Sequence, residues 1–313
     1  MTTLDAALYD RTQNLQGLLM QAGLSRYTPP TPPTPMPLLQ LRRGLAESAA
    51  WFLVQAAEFE PEPLSVERLR VRAIWSSERI VAALLDLMAS EGWLDRRGND
   101  YHLLPEGQRL KTELQARPAR VLDALAPALN AATVERLEAL LGQVVANALH
   151  SPTPPGTWCL RYSNRRAPAA SGSALHKLFH HCSDLNAFRD DAHMASWRGH
   201  QVAGYVWEAF RYVYRAQAHD ADALGSQLAY RGYSREDFAG ALDTLAGRGW
   251  IATQSGAYHV TEAGRTVQAE AEALTNDYFY GAWRQLDDAA LSDLLTLLTL
   301  LEADLSALTN SRP

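Results

Sequence analysis

A chain of 313 residues with 47% apolar content is long enough for two ordinary domains with their own cores. The formal net charge of −6 leaves any contact with phosphate to a local part of the chain. Two cysteines, Cys159 and Cys182, make no disulfide framework, and no N-terminal stretch has the apolar core of a secretory signal.

In chain order, residues 4–22 form an amphipathic helix, with Leu4, Leu8, Leu15, Leu18 and Leu19 apolar and Gly23 as its expected stop. Residues 28–37 are dominated by proline, whose fixed φ and missing N–H predict an extended, polyproline-II-like strap. Residues 38–59 begin the first domain as a helix. Ser65 opens a short helix, and Ser77 opens a second one carrying Val81, Leu84, Leu85 and Met88 at helical spacing up to Gly92. Two short strands then flank a turn at residues 97–100. Helices are expected at 105–115 and 121–149. Residues 151–173, rich in proline, glycine and small residues, read as a linker holding Arg161, Arg165 and Arg166.

The stretch from Ser77 to Gly107 recurs 157 positions later, from Ser234 to Gly264, without a gap. Asp86 falls on Asp243, Trp93 on Trp250, Tyr101 on Tyr258, His102 on His259 and Gly107 on Gly264. One supersecondary unit is therefore written twice. Helix, turn, helix and two-stranded hairpin, followed by long helices, resembles the MarR-type winged-helix regulators. That resemblance implies a mostly α fold with small β-hairpin wings, and MarR proteins are dimers of one such unit. Here two tandem winged-helix domains are expected to form an intramolecular pseudo-dimer in a single, monomeric chain. The expected divisions are 1–37, 38–150, 151–173, 174–200 and 201–313. Leucines 291, 294, 295, 298, 301 and 305 are expected to pack on Leu137, Leu140, Leu141 and Val144, the same positions of the first copy. That leucine-rich run is too short to span a bilayer, and the cytoplasm is the expected location.

A winged helix reads DNA with donors on its recognition helix and a basic wing. Copy one offers Arg68, Arg72, Ser77, Arg79, Arg96 and Arg97 for double-stranded DNA. Copy two opens its recognition helix with Ser234, Arg235, Glu236 and Asp237, and its wing has no positive charge. Residues 42–151 carry 13 basic and 15 acidic groups, whereas 199–308 carry 7 and 15. Phosphate neutralisation therefore favours copy one as the DNA-contacting half.

Five of the nine histidines lie between residues 174 and 200. His176, His180 and Asp184 share one helix face, and Arg189, His193, Trp197 and His200 share a face on the next helical segment. Converging imidazoles could ligate a metal effector, and Arg189 with the imidazoles could hold a small-molecule effector. Alternatively Asp191 and His193 cap a helix junction. The pattern Arg189-x-Asp191-x-His193 also resembles a family of bacterial tandem winged-helix proteins of uncharacterised function. No nucleophile motif, phosphate loop or dinucleotide fingerprint appears, so the expectation is a non-enzymatic, ligand- or metal-sensing transcription regulator whose ligand site includes His176, His180, Arg189, Asp191 and His193. The second reading is a small-molecule- or metal-binding protein, or an enzyme, that uses the winged-helix scaffold without binding DNA.

Overall fold

The computed structural model describes residues 6–28, 43–156 and 158–310. The proline strap, apart from Thr28, and the helix start expected near Leu38 lie outside the described residues. The first half runs α1 (Ala6–Arg26), α2 (Arg43–Phe59), β1 (Leu64–Ser65), α3 (Val66–Arg72), α4 (Glu78–Ser90), β2 (Leu94–Arg97), β3 (Asp100–Leu103), α5 (Pro105–Asp123) and α6 (Ala131–His150). After α7 (Trp158–Asn164) and α8 (Ala174–Arg198) come α9 (Gly204–Tyr214), α10 (Ala221–Gln227), a 3-10 turn (Ala229–Arg231), α11 (Arg235–Gly247), β4 (Ile251–Gln254), β5 (Ala257–Val260), α12 (Glu262–Trp283) and α13 (Asp288–Asn310). The chain is mostly helical with small antiparallel sheets, as its sequence pattern requires. The elements α11, β4, β5, α12 and α13 each begin 157 positions after α4, β2, β3, α5 and α6.

Two compact units are present, each drawing on both halves of the chain. The first comprises Met1–Glu60, Pro105–Ala192 and Asn276–Pro313 and is helical. Its core joins Leu137, Leu140, Leu141 and Val144 of α6 to Leu291, Leu294, Leu298, Leu301 and Leu305 of α13, with Leu15 and Leu19 of α1 and Phe188 of α8. Each leucine so buried contributes about 1.5–3 kcal/mol. Arg136 on α6 meets Asp293 on α13 at 2.8 Å, and Arg11 on α1 meets Glu302 at 2.8 Å, so charges rim the leucine seam.

Four local expectations need correction. Helix α1 runs past Gly23 to Arg26, because Ala22 is buried and the Ser25 hydroxyl turns back to the Ala22 carbonyl. Helix α5 continues through Pro118 to Asp123, since Val121 and Leu122 beyond the proline are buried. The break falls instead at residues 124–130, where the Asn130 side chain accepts the Thr133 N–H and caps α6. The expected linker contains helix α7, with Cys159, Leu160 and Ser163 buried.

The second unit comprises Pro61–Leu104 and His193–Thr275 and holds both hairpins. In copy one, Ser65 caps α3 by accepting the Arg68 N–H, and Ser77 caps α4 by accepting the Ile80 N–H. Strand β3 lies between β1 and β2, giving a three-stranded antiparallel sheet. In copy two, β4 and β5 form a two-stranded antiparallel sheet among the described residues. In the region corresponding to β1, the Tyr258 N–H donates to the His219 carbonyl at 2.9 Å, and His219 Nδ1 lies 3.3 Å from the Tyr258 carbonyl oxygen.

The glycine shared by the two copies has a steric reason. A Cβ at Gly264 would lie 2.1 Å from the Trp250 carbonyl oxygen and 2.9 Å from Val260 Cγ2, so the start of α12 can close on the wing only without a side chain. Gly264→Ala should therefore cost about 3 kcal/mol in urea unfolding. Gly240→Ala, where nothing lies within 4 Å of the new carbon, should instead be neutral or stabilise α11 by up to about 1 kcal/mol. Equal shifts from both variants would refute the packing argument.

Candidate functional site

The basic residues of copy one occupy different environments. Arg68 is tied to Glu62 at 2.9 Å, to Asp100 at 2.9 Å and to the Pro63 carbonyl at 3.1 Å, which clamps β1 to the hairpin. Arg72 ends α3 and is partly exposed. On the wing, Arg96 lies 2.9 Å from Asp86 and 5.5 Å from the Tyr101 ring centroid, while Arg97 lies 2.8 Å from Asp95. Both wing arginines are more than half exposed, at 53% and 67%. Such exposed pairs are worth about 0–1 kcal/mol, so a phosphate can displace the carboxylate at little cost. Asp86 also accepts the Tyr101 hydroxyl at 2.6 Å, so it keeps a partner when Arg96 leaves. Burial and that bond push the Tyr101 hydroxyl up to about 12.

The start of α4 is engaged. Ser77 is 9% exposed; its N–H donates to the Arg231 carbonyl at 2.8 Å, and its hydroxyl donates to the Gly232 carbonyl at 3.0 Å. The Arg79 Nη2 donates to the same Gly232 carbonyl at 2.7 Å. The first turn of α11 lies two residues after this turn and is acidic, with Ser234 and Asp237 closing a capping box.

The histidine-rich segment is one 25-residue helix, α8, rather than two. Neither glycine nor proline interrupts residues 174–198, so nothing ends the backbone ladder. At about 1.5 Å per residue, the Cα atoms of His180 and His193 are about 20 Å apart along α8. The expected convergence of His176, His180 and His193 from two segments does not occur. Among the described residues, no three His, Cys, Asp or Glu side chains group to hold a metal ion.

Within the helical unit, α8 builds a buried polar network with α2 and α7. Asp184 is fully buried and accepts the Ser163 hydroxyl at 2.6 Å and the Asn164 amide at 2.8 Å. His180 Nε2 stands 3.4 Å from Asp184 Oδ1 but is not aligned for a hydrogen bond. Arg166 pairs at 2.7 Å with Glu58 of α2, itself 1% exposed. Gln55, one turn earlier, is 1% exposed, and neither of its side-chain polar atoms has a hydrogen-bond partner among the described residues. Asp191 accepts the N–H groups of Cys159 and Leu160, each at 2.9 Å, and so fixes the start of α7. Arg189 donates to Asn276 at 2.7 Å and lies over the Tyr9 and Phe279 rings. His176 is partly buried at the first turns of α8, where burial lowers its pKa against the pull of Asp123.

The end of α8 belongs to the second unit and faces aromatics. Trp207 Nε1 donates to His193 Nε2 at 3.2 Å, which leaves the neutral imidazole proton on Nδ1, 3.5 Å from the Thr275 hydroxyl. Trp197 stacks on Trp207 at a centroid distance of 6.0 Å and meets Trp75 at 5.4 Å with the rings tilted by 43°. His200 stacks on the same Trp207 at 5.9 Å.

Sequence reasoning missed Gln55, Glu58, Ser163 and Asn164 in the network and Gly232 at the start of α4. Two polar residues one turn apart in the apolar run of α2 were the available signal for the first two. Gly232 offered only its place two residues before a Ser cap.

A model of a helix-turn-helix family matches residues 162–309, which include α10, α11 and the β4–β5 wing. No match was found among curated proteins or among solved structures. The matched segment is of helix-turn-helix type, and among the described residues no helix is long and apolar enough to cross a membrane.

The buried groups give a signed pH dependence. Burial drives the His180 pKa down to about 3, with Arg166, His181 and His176 adding to the effect, so folded His180 stays neutral. Burial pushes Asp191 up to about 6 against its two backbone donors. From pH 7 to 5, His180 takes up its proton in the unfolded chain, which lowers stability by about 2 kcal/mol, whereas Asp191 takes one up when folded and returns about 1 kcal/mol. His180→Gln should therefore flatten the acid loss in urea titrations, and Asp191→Asn should steepen it. An unchanged slope in His180→Gln would show that His180 is not held neutral.

Proposed function

We propose that this chain is a cytoplasmic DNA-binding transcription regulator: a fused, MarR-like pseudo-dimer of two winged helices that contacts duplex DNA chiefly through copy one. The observation that carries this reading is the asymmetry of equivalent positions on the repeated motif. Arg79, Arg96 and Arg97 of copy one correspond to Glu236, Thr253 and Gln254 of copy two. All three arginines are exposed, and the two on the wing pair with Asp86 and Asp95, Arg96 also donating to the Gly98 carbonyl at 3.1 Å. The common 157-residue offset of the elements supports the pseudo-dimer, as does one shared core for the helices that follow each wing. A sensor role for the α2–α7–α8 network is supported by the unpartnered buried groups of Gln55 and His180, which could receive a small polar effector. The same observation favours the second reading, a small-molecule-binding scaffold without DNA affinity.

Duplex binding across a salt series separates these readings. Each phosphate contact contributes a slope of about 0.9 in log affinity against log salt, so Arg96→Ala/Arg97→Ala should weaken binding and lower the slope magnitude by about 1.8. Thr253→Ala/Gln254→Ala should leave both unchanged, because neither side chain carries charge. Equal losses from the two wings would contradict the asymmetry.

A further inference from the structure

The contact at the start of α4 has the chemistry of a phosphate site already filled. A helix N-terminus with an adjacent arginine and hydroxyl takes anionic oxygens, and the first residues of a recognition helix are those that meet DNA. Here the acceptors are two carbonyl oxygens of the same chain. The Arg231 carbonyl takes the Ser77 N–H, and the Gly232 carbonyl takes both the Ser77 hydroxyl and the Arg79 guanidinium. Position 232 must be glycine for this approach. Its φ is +75°, and a Cβ there would lie 2.5 Å from Ile80 Cβ and 2.7 Å from Ser77 Oγ. The turn also places the start of α11 beside that of α4, whereas paired reading heads sit about 34 Å apart on DNA.

We propose that the Arg231–Gly232 turn is an autoinhibitory latch. It occupies the DNA-contacting end of α4, and duplex phosphate must displace it before Ser77 and Arg79 can engage. This rests on the DNA-binding reading above and adds its regulation. With the latch closed, the wing arginines alone make contact; with it open, α4 adds Arg79 and its N-terminus. An effector that favours the open joint would raise DNA affinity by the ratio of its affinities for the two states.

The test opens the latch in one variant and follows it in the native joint. A Cβ at 232 would lie 2.5 Å from Ile80 Cβ, so Gly232→Ala cannot keep the joint closed. Affinity for a random-sequence duplex is measured by anisotropy across a salt series, with near-UV circular dichroism as the check on folding. Gly232→Ala should bind about tenfold or more tighter than the wild type and steepen the salt slope by about 0.9, for the phosphate contact of Arg79. Should it fail to fold, a distance measurement with Gly232 intact still decides: spin labels at Glu78→Cys and Tyr230→Cys, both exposed positions, should move apart when duplex is added, and the native Cys159 and Cys182 are buried and do not compete for label. Equal affinity and slope in folded Gly232→Ala and wild type, or a label distance unchanged by duplex, would overturn the latch while leaving DNA binding by the wing intact. Absence of binding by every form, wild type included, would overturn both readings.

Discussion

The hydrogen bonds between the start of α4 and the Arg231–Gly232 turn set what the winged unit can do. They join the two repeated motifs at the ends that a helix-turn-helix uses for reading, and they depend on a residue with no side chain. The wing of copy one lies outside this contact and keeps its exposed arginines. Charge and sterics therefore divide the same motif into an occupied reading end and an available wing.

Helix α8 imposes a comparable constraint on the histidines. Because nothing breaks it, the five histidines of residues 174–200 are spread along and just beyond one rod rather than gathered at one place. His180 is held neutral by burial, His193 accepts from Trp207, and His200 stacks on that same tryptophan. The carboxylates of α8 serve α7: Asp184 binds Ser163 and Asn164, and Asp191 takes two backbone N–H groups. Burying these groups costs stability unless every donor and acceptor is met. The unmatched atoms of Gln55 and His180 mark where the network is open to a further polar partner.

Much of the fold was legible because it is local or repeated. Ser65, Ser77 and Ser234 cap helices as their positions implied, the hairpins close at residues 98–99 and 255–256, and the leucines of α13 meet those of α6. The site was less legible. Identical residue types at helical spacing gave the faces of α8 but not whether the helix bends between them, and that decided the fate of the proposed imidazole cluster. The partners of Arg166 and Ser77 are 108 and 155 positions away, beyond any periodicity argument. Helix α7 was hidden because its seven residues are fixed by Asp191 from a distant helix rather than by a strong local signal.

The central claim is that an acidic protein of net charge −6 binds duplex DNA through a local basic surface on copy one. Wild-type affinity for a random-sequence duplex, measured from low to physiological salt, tests it most directly. The account predicts measurable binding at low salt, with a log–log slope of about −2 to −3, as expected for two or three phosphate contacts from Arg96, Arg97 and Arg79. Absence of binding at the lowest salt, or an affinity that does not change with salt, would contradict it.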